Sequence, residues 1–120
     1  MSMEGTKLLP PLTFVAGGSI TANTLVTLHT TAGQVVECGV GGFPIGVVYD
    51  AYSSGETVPV YPLPGLHRVI ASAAIVAGDN LKPAANGEIA PEASVGTNTV
   101  DTCGQAVGAA SSGTFLAVLR

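Results

Sequence analysis

Apolar positions along this chain fall in short runs rather than at helical spacing. From Ile20 onward, segments rich in Val, Ile, Leu and Thr are separated by turns of Gly, Asn, Asp and Ser. That is the all-β pattern. Strands are expected over 25–29, 34–38, 45–51, 57–61, 67–71, 80–82, 88–90, 105–109 and 114–119. The connections carry turn chemistry. Gly33 ends a four-residue turn, Ser53-Ser54-Gly55 makes a hairpin tip, and Ser111-Ser112-Gly113 makes another. Ala85-Asn86-Gly87 is the strongest tight-turn signal, because Asn and Gly tolerate positive φ. Leu63-Pro64-Gly65 marks a corner. Pro59 within 57–61 places that strand at an edge or bulge, since proline gives no ladder donor. Helix is confined to at most one turn over 72–77.

Residues 1–18 read differently. Leu8, Leu9, Pro10, Pro11 and Leu12 resist both helix and central strand, and Gly17-Gly18 loosens the chain ahead of Ile20. An extended N-terminal arm is expected over 1–18, ordering only against a partner or the side of the domain. A single β domain is then expected over 19–120.

That domain carries an internal repeat. Residues 45–61 lie on 103–119 without a gap, matching Gly46 with Gly104, Ala51 with Ala109, Ser53-Ser54-Gly55 with Ser111-Ser112-Gly113, and Val60 with Val118. Upstream, Ile20, Ala22, Leu25, Gly33 and Val35 match Ile75, Ala77, Leu81, Gly87 and Ile89 with small slips. These matches imply duplication of 20–61 as 75–119. The expected fold is all-β, a small barrel or compact sandwich of about eight or nine short strands. Two pseudo-symmetric four-strand halves closing on each other would remove sheet edges.

Composition narrows the function. Only 10% of the 120 residues are charged and 47% are apolar, so a disordered chain is excluded. The four basic residues are scattered and the net charge is −4, which argues against nucleic acid as a partner. The longest nearly apolar run, 69–77, is far short of the ~20 residues that span a bilayer, and the N-terminus lacks a signal-peptide pattern. No membrane partner is expected, and the chain should stay where it is made. Twelve charged side chains cover only about a fifth of the roughly 6,000 Å² that a folded monomer of this mass exposes. So little charge suits a surface that other chains cover.

Catalytic chemistry is sparse. His29 and His67 are the only side chains that titrate near neutrality, and neither sits in a nucleophile motif. Each is expected as a strand histidine at a surface or interface. Cys38 and Cys103, with the two histidines, lack zinc-ligand spacing and read as buried thiols. The glycine stretch 39–46 lacks the Lys-Ser/Thr of a phosphate loop. No enzyme, cofactor or metal is expected. Tyr49, Tyr52 and Tyr61 could form a stacking platform for a sugar, which supplies the alternative of a small carbohydrate- or host-surface-binding module.

The run Val69 to Leu81, with its Ala77-Gly78-Asp79 turn, and then Asn86-Gly87-Glu88, resembles the small capsid cement (decoration) proteins of tailed phages. Gly104 to Ala110 and the terminal Phe115 to Arg120 fit the same pattern. The resemblance spans about residues 20–120. It implies a virion component, made in the host cytoplasm and placed on the outer capsid surface. It also implies assembly with itself, as trimers or dimers, and with the major capsid protein. On this reading the Pro/Gly-rich, apolar but irregular arm, loops and corner are expected to contact the shell or sister subunits, with Leu8, Leu9, Pro10, Pro11, Leu12, Phe14, Gly41, Phe43, Tyr52, Leu63 and Pro64 as the candidate contacts. Another virion part, such as a tail or head-fibre base, is a further reading.

Overall fold

A computed structural model describes residues 11–40, 42–91, 103–110 and 113–119. Their ten strands are β1 (Leu12–Ala16), β2 (Thr24–Leu28), β3 (Gln34–Glu37), β4 (Gly46–Val48), β5 (Thr57–Pro62), β6 (Gly65–Ala71), β7 (Asn80–Pro83), β8 (Ile89–Pro91), β9 (Gly104–Ala106) and β10 (Gly113–Leu119). A 3-10 turn, Ala85–Gly87, joins β7 to β8.

The strands form two closed sheets. The first runs β1-β3-β2-β4-β5 and closes through β1 against β5. The second, β6-β8-β7-β9-β10, closes through β6 against β10. Adding five to each strand number of the first sheet gives the second. Directions agree as well: β1 is parallel to β3, β6 is parallel to β8, and every other pair is antiparallel. Even the isolated bridges correspond, Ile20 with Tyr52 and Ile75 with Ala110.

Three expectations are corrected. Residues 12–16 are not part of an arm. They form β1, hydrogen-bonded on both sides and needed to close the first barrel. The halves do not close on each other but each on itself, with five strands, so the units 20–61 and 75–119 both omit their opening strand. Finally, the ladders pair Val58 and Val60 with Phe14 and Leu12 in the first sheet, and Phe115 and Ala117 with Val69 and His67 in the second. Val60 therefore corresponds to Ala117, one residue from its ungapped match.

A five-stranded barrel has a narrow lumen, which small branched side chains fill. The first core is Ala16, Ile20, Val26, Val35, Val48, Val58 and Val60. The second contains Val69, Ala71, Leu81, Ile89, Phe115, Ala117 and Leu119. Each buried Val or Leu contributes about 1.5–3 kcal/mol. Close strand approach also demands glycine at equivalent places. A Cβ on Gly46 would lie 2.6 Å from the Tyr61 carbonyl oxygen, and one on Gly104 would lie 2.2 Å from that of Val118. Pro59 sits opposite Thr13, whereas β4 covers only Tyr61 and Pro62 of β5.

Candidate assembly surface

Residues that point out of a barrel need apolar character only where something covers them. The duplicated wiring makes this visible. In the first barrel the Leu25–Val47 pair joins β2 to β4. Both residues are fully buried, clustered with the second barrel's core. In the second barrel the corresponding pair joining β7 to β9 is Asn80 with Gln105. That pair is polar; Asn80 is half-buried and Gln105 exposed. At this position the covered pair is apolar and its more open counterpart is polar.

The outer face of β6 and β10 carries a group of exposed apolar side chains. Leu66 pairs with Val118, and Leu116 with Arg68. Leu66, Leu116 and Val118 are 49%, 42% and 51% exposed. Exposed Val107 adjoins them, its amide donating to the Leu116 carbonyl at 2.9 Å. Single exposed apolar residues are ordinary, whereas a contiguous group on one face marks an interaction surface.

Between the barrels lies a polar cluster. Tyr49 lies just past β4, Tyr61 in β5 and His67 in β6. The Tyr49 hydroxyl is hydrogen-bonded to His67 Nδ1. The Tyr49 ring stacks on the imidazole, with centroids 6.1 Å apart, and tilts 55° against Tyr61 at 5.1 Å. His67 is 3% exposed, and its Nε2 is buried without a hydrogen bond. Burial lowers its pKa, opposed by the Pro62 carbonyl. The Tyr49 phenol is raised, mainly by burial. The junction is also seated by backbone: the Gly87 amide donates to the Cys38 carbonyl at 2.7 Å. Cys38 and Cys103 are buried thiols, not a disulfide, and burial raises the Cys38 pKa. Among the described residues no three His, Cys, Asp or Glu side chains gather to hold a metal ion.

Comparison with solved structures adds one observation. The crystal structure of the head fiber gp8.5 N base in bacteriophage phi29 superposes with a TM-score of 0.78 at 23% sequence identity, over 95% of each chain. The chain has the fold of that head-fibre base. By sequence, no family matches it, and neither does any curated protein.

The expected contact residues are dispersed over this fold. Leu8, Leu9, Pro10 and Gly41 lie outside the described residues. Pro11, Leu12, Phe43 and Pro64 are exposed, and Phe43 stands out at 84%. Its backbone is fixed by Thr27 Oγ1, which donates to the Phe43 carbonyl at 2.8 Å. Phe14 and Tyr52 pack against the first core and Leu63 against the second, so part of each side chain serves the fold itself. His67 is not a surface histidine, because the second barrel supplies one wall of its site and the first supplies the other. His29 is half-buried, its Nδ1 accepting from the Thr31 amide at 3.1 Å. The tyrosines do not make one flat platform: Tyr49 and Tyr61 belong to the junction and Tyr52 to the first core. Leu66, Leu116 and Val118 are absent from the expected contacts, although strict alternation through 65–71 and 113–119 marks them as outward.

Proposed function

We propose that this chain is a structural component of a tailed-phage head, bound on the outer capsid surface between major capsid subunits, where it stabilises the shell. The observation that carries the reading is the shared fold with the phi29 head-fibre base over 95% of both chains. A fold by itself hosts many functions, so the surface must agree with it. Its charge is low, with 12 charged residues in 120, and the β6–β10 face exposes a group of large apolar side chains. Many weak contacts repeated on a lattice give firm attachment, because each bound copy holds its neighbours at high effective concentration. A homotrimer suits a three-fold site on such a lattice.

The test is binding of the purified chain to heads assembled from the capsid gene of the same genome. The wild-type chain cosediments with heads, whereas Leu116→Glu with Val118→Glu loses at least about tenfold in affinity, roughly 1.4 kcal/mol or more. Binding that the double substitution leaves unchanged contradicts a role for this face.

A further inference from the structure

The two barrels are built alike but filled unequally at one equivalent place. In the first barrel, Tyr52 bridges Ile20 through paired backbone hydrogen bonds, both 2.9 Å, and its ring packs against the core. The equivalent bridge in the second barrel joins Ala110 to Ile75, with bonds of 2.7 and 3.0 Å. The backbone is the same and the phenol ring is gone. A shallow hollow of about 330 Å³, open to solvent, lies there instead, lined by Ala74, Ile75, Ala109 and Ala110.

Neighbouring substitutions do not make up for the missing ring. The Phe14–Val58 pair of β1 and β5 corresponds to Val69–Phe115 of β6 and β10. That exchange moves a phenyl group across the ladder and conserves volume. The change from Tyr52 to Ala110 has no such counterpart in the pair. The hollow opens to solvent, with Ala74 and Ala109 exposed on its rim, and a ring laid in it would take its alanine and isoleucine lining out of water.

The geometry points to this pocket as a docking site for an aromatic side chain, tyrosine above all, carried by a partner polypeptide. The internal template states the chemistry: in the first barrel the same position takes a phenol ring attached to a strand backbone. An aromatic anchor entering a preformed pocket is the usual centre of a protein interface. The site lies on the Ile75–Ala110 bridge, separate from the outer face of β6 and β10, and stands independently of the virion reading.

The test titrates the full-length chain with p-cresol and with a capped Gly-Tyr-Gly peptide, following alanine and isoleucine methyl signals by NMR. Both probes shift Ala74, Ile75, Ala109 and Ala110 saturably, and the peptide binds at least as tightly as p-cresol. Ala110→Tyr fills the pocket from within, raises the melting temperature and weakens both probes by at least about tenfold. Tyr52→Ala opens the matching pocket and creates a second p-cresol site at Ile20. Should Ala110→Tyr not fold, the wild-type and Tyr52→Ala titrations decide. Shifts that do not saturate, or that map elsewhere, overturn the proposal. So does retained binding in folded Ala110→Tyr, or p-cresol binding with the peptide excluded.

Discussion

His67 ties the two barrels together through chemistry that depends on pH. Buried against Tyr49 and beside the Pro62 carbonyl, it is held neutral with its pKa below the ordinary 6.5. The unfolded chain takes up a proton near that value and the folded chain does so only at lower pH. Stability is therefore full above about pH 6.5 and declines as pH falls below it. Denaturant midpoints at pH 7.5 and 5 should differ for the wild-type chain, and His67→Phe should shrink the difference; an unchanged pH dependence would remove His67 from the account. Gly87 is the second residue on which the junction turns. Its φ is +75°, and a Cβ there would lie 2.7 Å from Thr24 Cβ and 2.9 Å from the Leu25 carbonyl oxygen. Gly87→Ala should cost on the order of 1–3 kcal/mol in chemical denaturation. Gly87 was legible in the sequence, because Asn-Gly turn chemistry is local. His67 was not, because its burial depends on Tyr49, 18 positions away, and on a second barrel that no local pattern announces.

At the scale of elements, β1 decides whether the first barrel exists. It pairs with β5 over four positions, Leu12 to Val15, and with β3 through Val15 and Ala16. Deleting residues 2–14 removes Leu12, Thr13 and Phe14, three of the four positions paired with β5, and leaves most of that edge of β5 open, a costly state for a strand. Circular dichroism and amide NMR should then show loss of the first barrel's cooperative unfolding, whereas deletion of 2–10 should preserve both barrels. A deletion of 2–14 that unfolds like the full chain would contradict this. The other nine strands were readable from alternation and turn residues, with ends displaced by a few positions. β1 was hidden by Pro10-Pro11, which signals a break, and by its parallel partnership with β3, which is non-local by nature. Gly46 and Gly104 were visible as matched glycines, but only the returning strands explain why a side chain is excluded there.

The whole molecule is one wiring diagram used twice, with differences confined to what each copy must cover. Leu25 and Val47 are apolar because the second barrel sits on them, whereas the equivalent Asn80 and Gln105 are polar, the first half-buried and the second exposed. Leu66, Leu116 and Val118 are apolar and exposed together on one face. The repeat, the all-β class and the low charge were legible from the sequence, since each is carried by residue type and order. The apolar face was only partly so: alternation tells which residues point outward, and the closed sheet tells that they point together. Phage-head membership is the central claim, and a binding isotherm tests it most directly. The purified chain is mixed in increasing amount with heads from the same genome that lack it, and the bound copies are counted after sedimentation. The account predicts saturation at a fixed number of copies per head set by the capsid lattice. A chain that stays in the supernatant at every concentration, or that accumulates on heads without saturating, would contradict it.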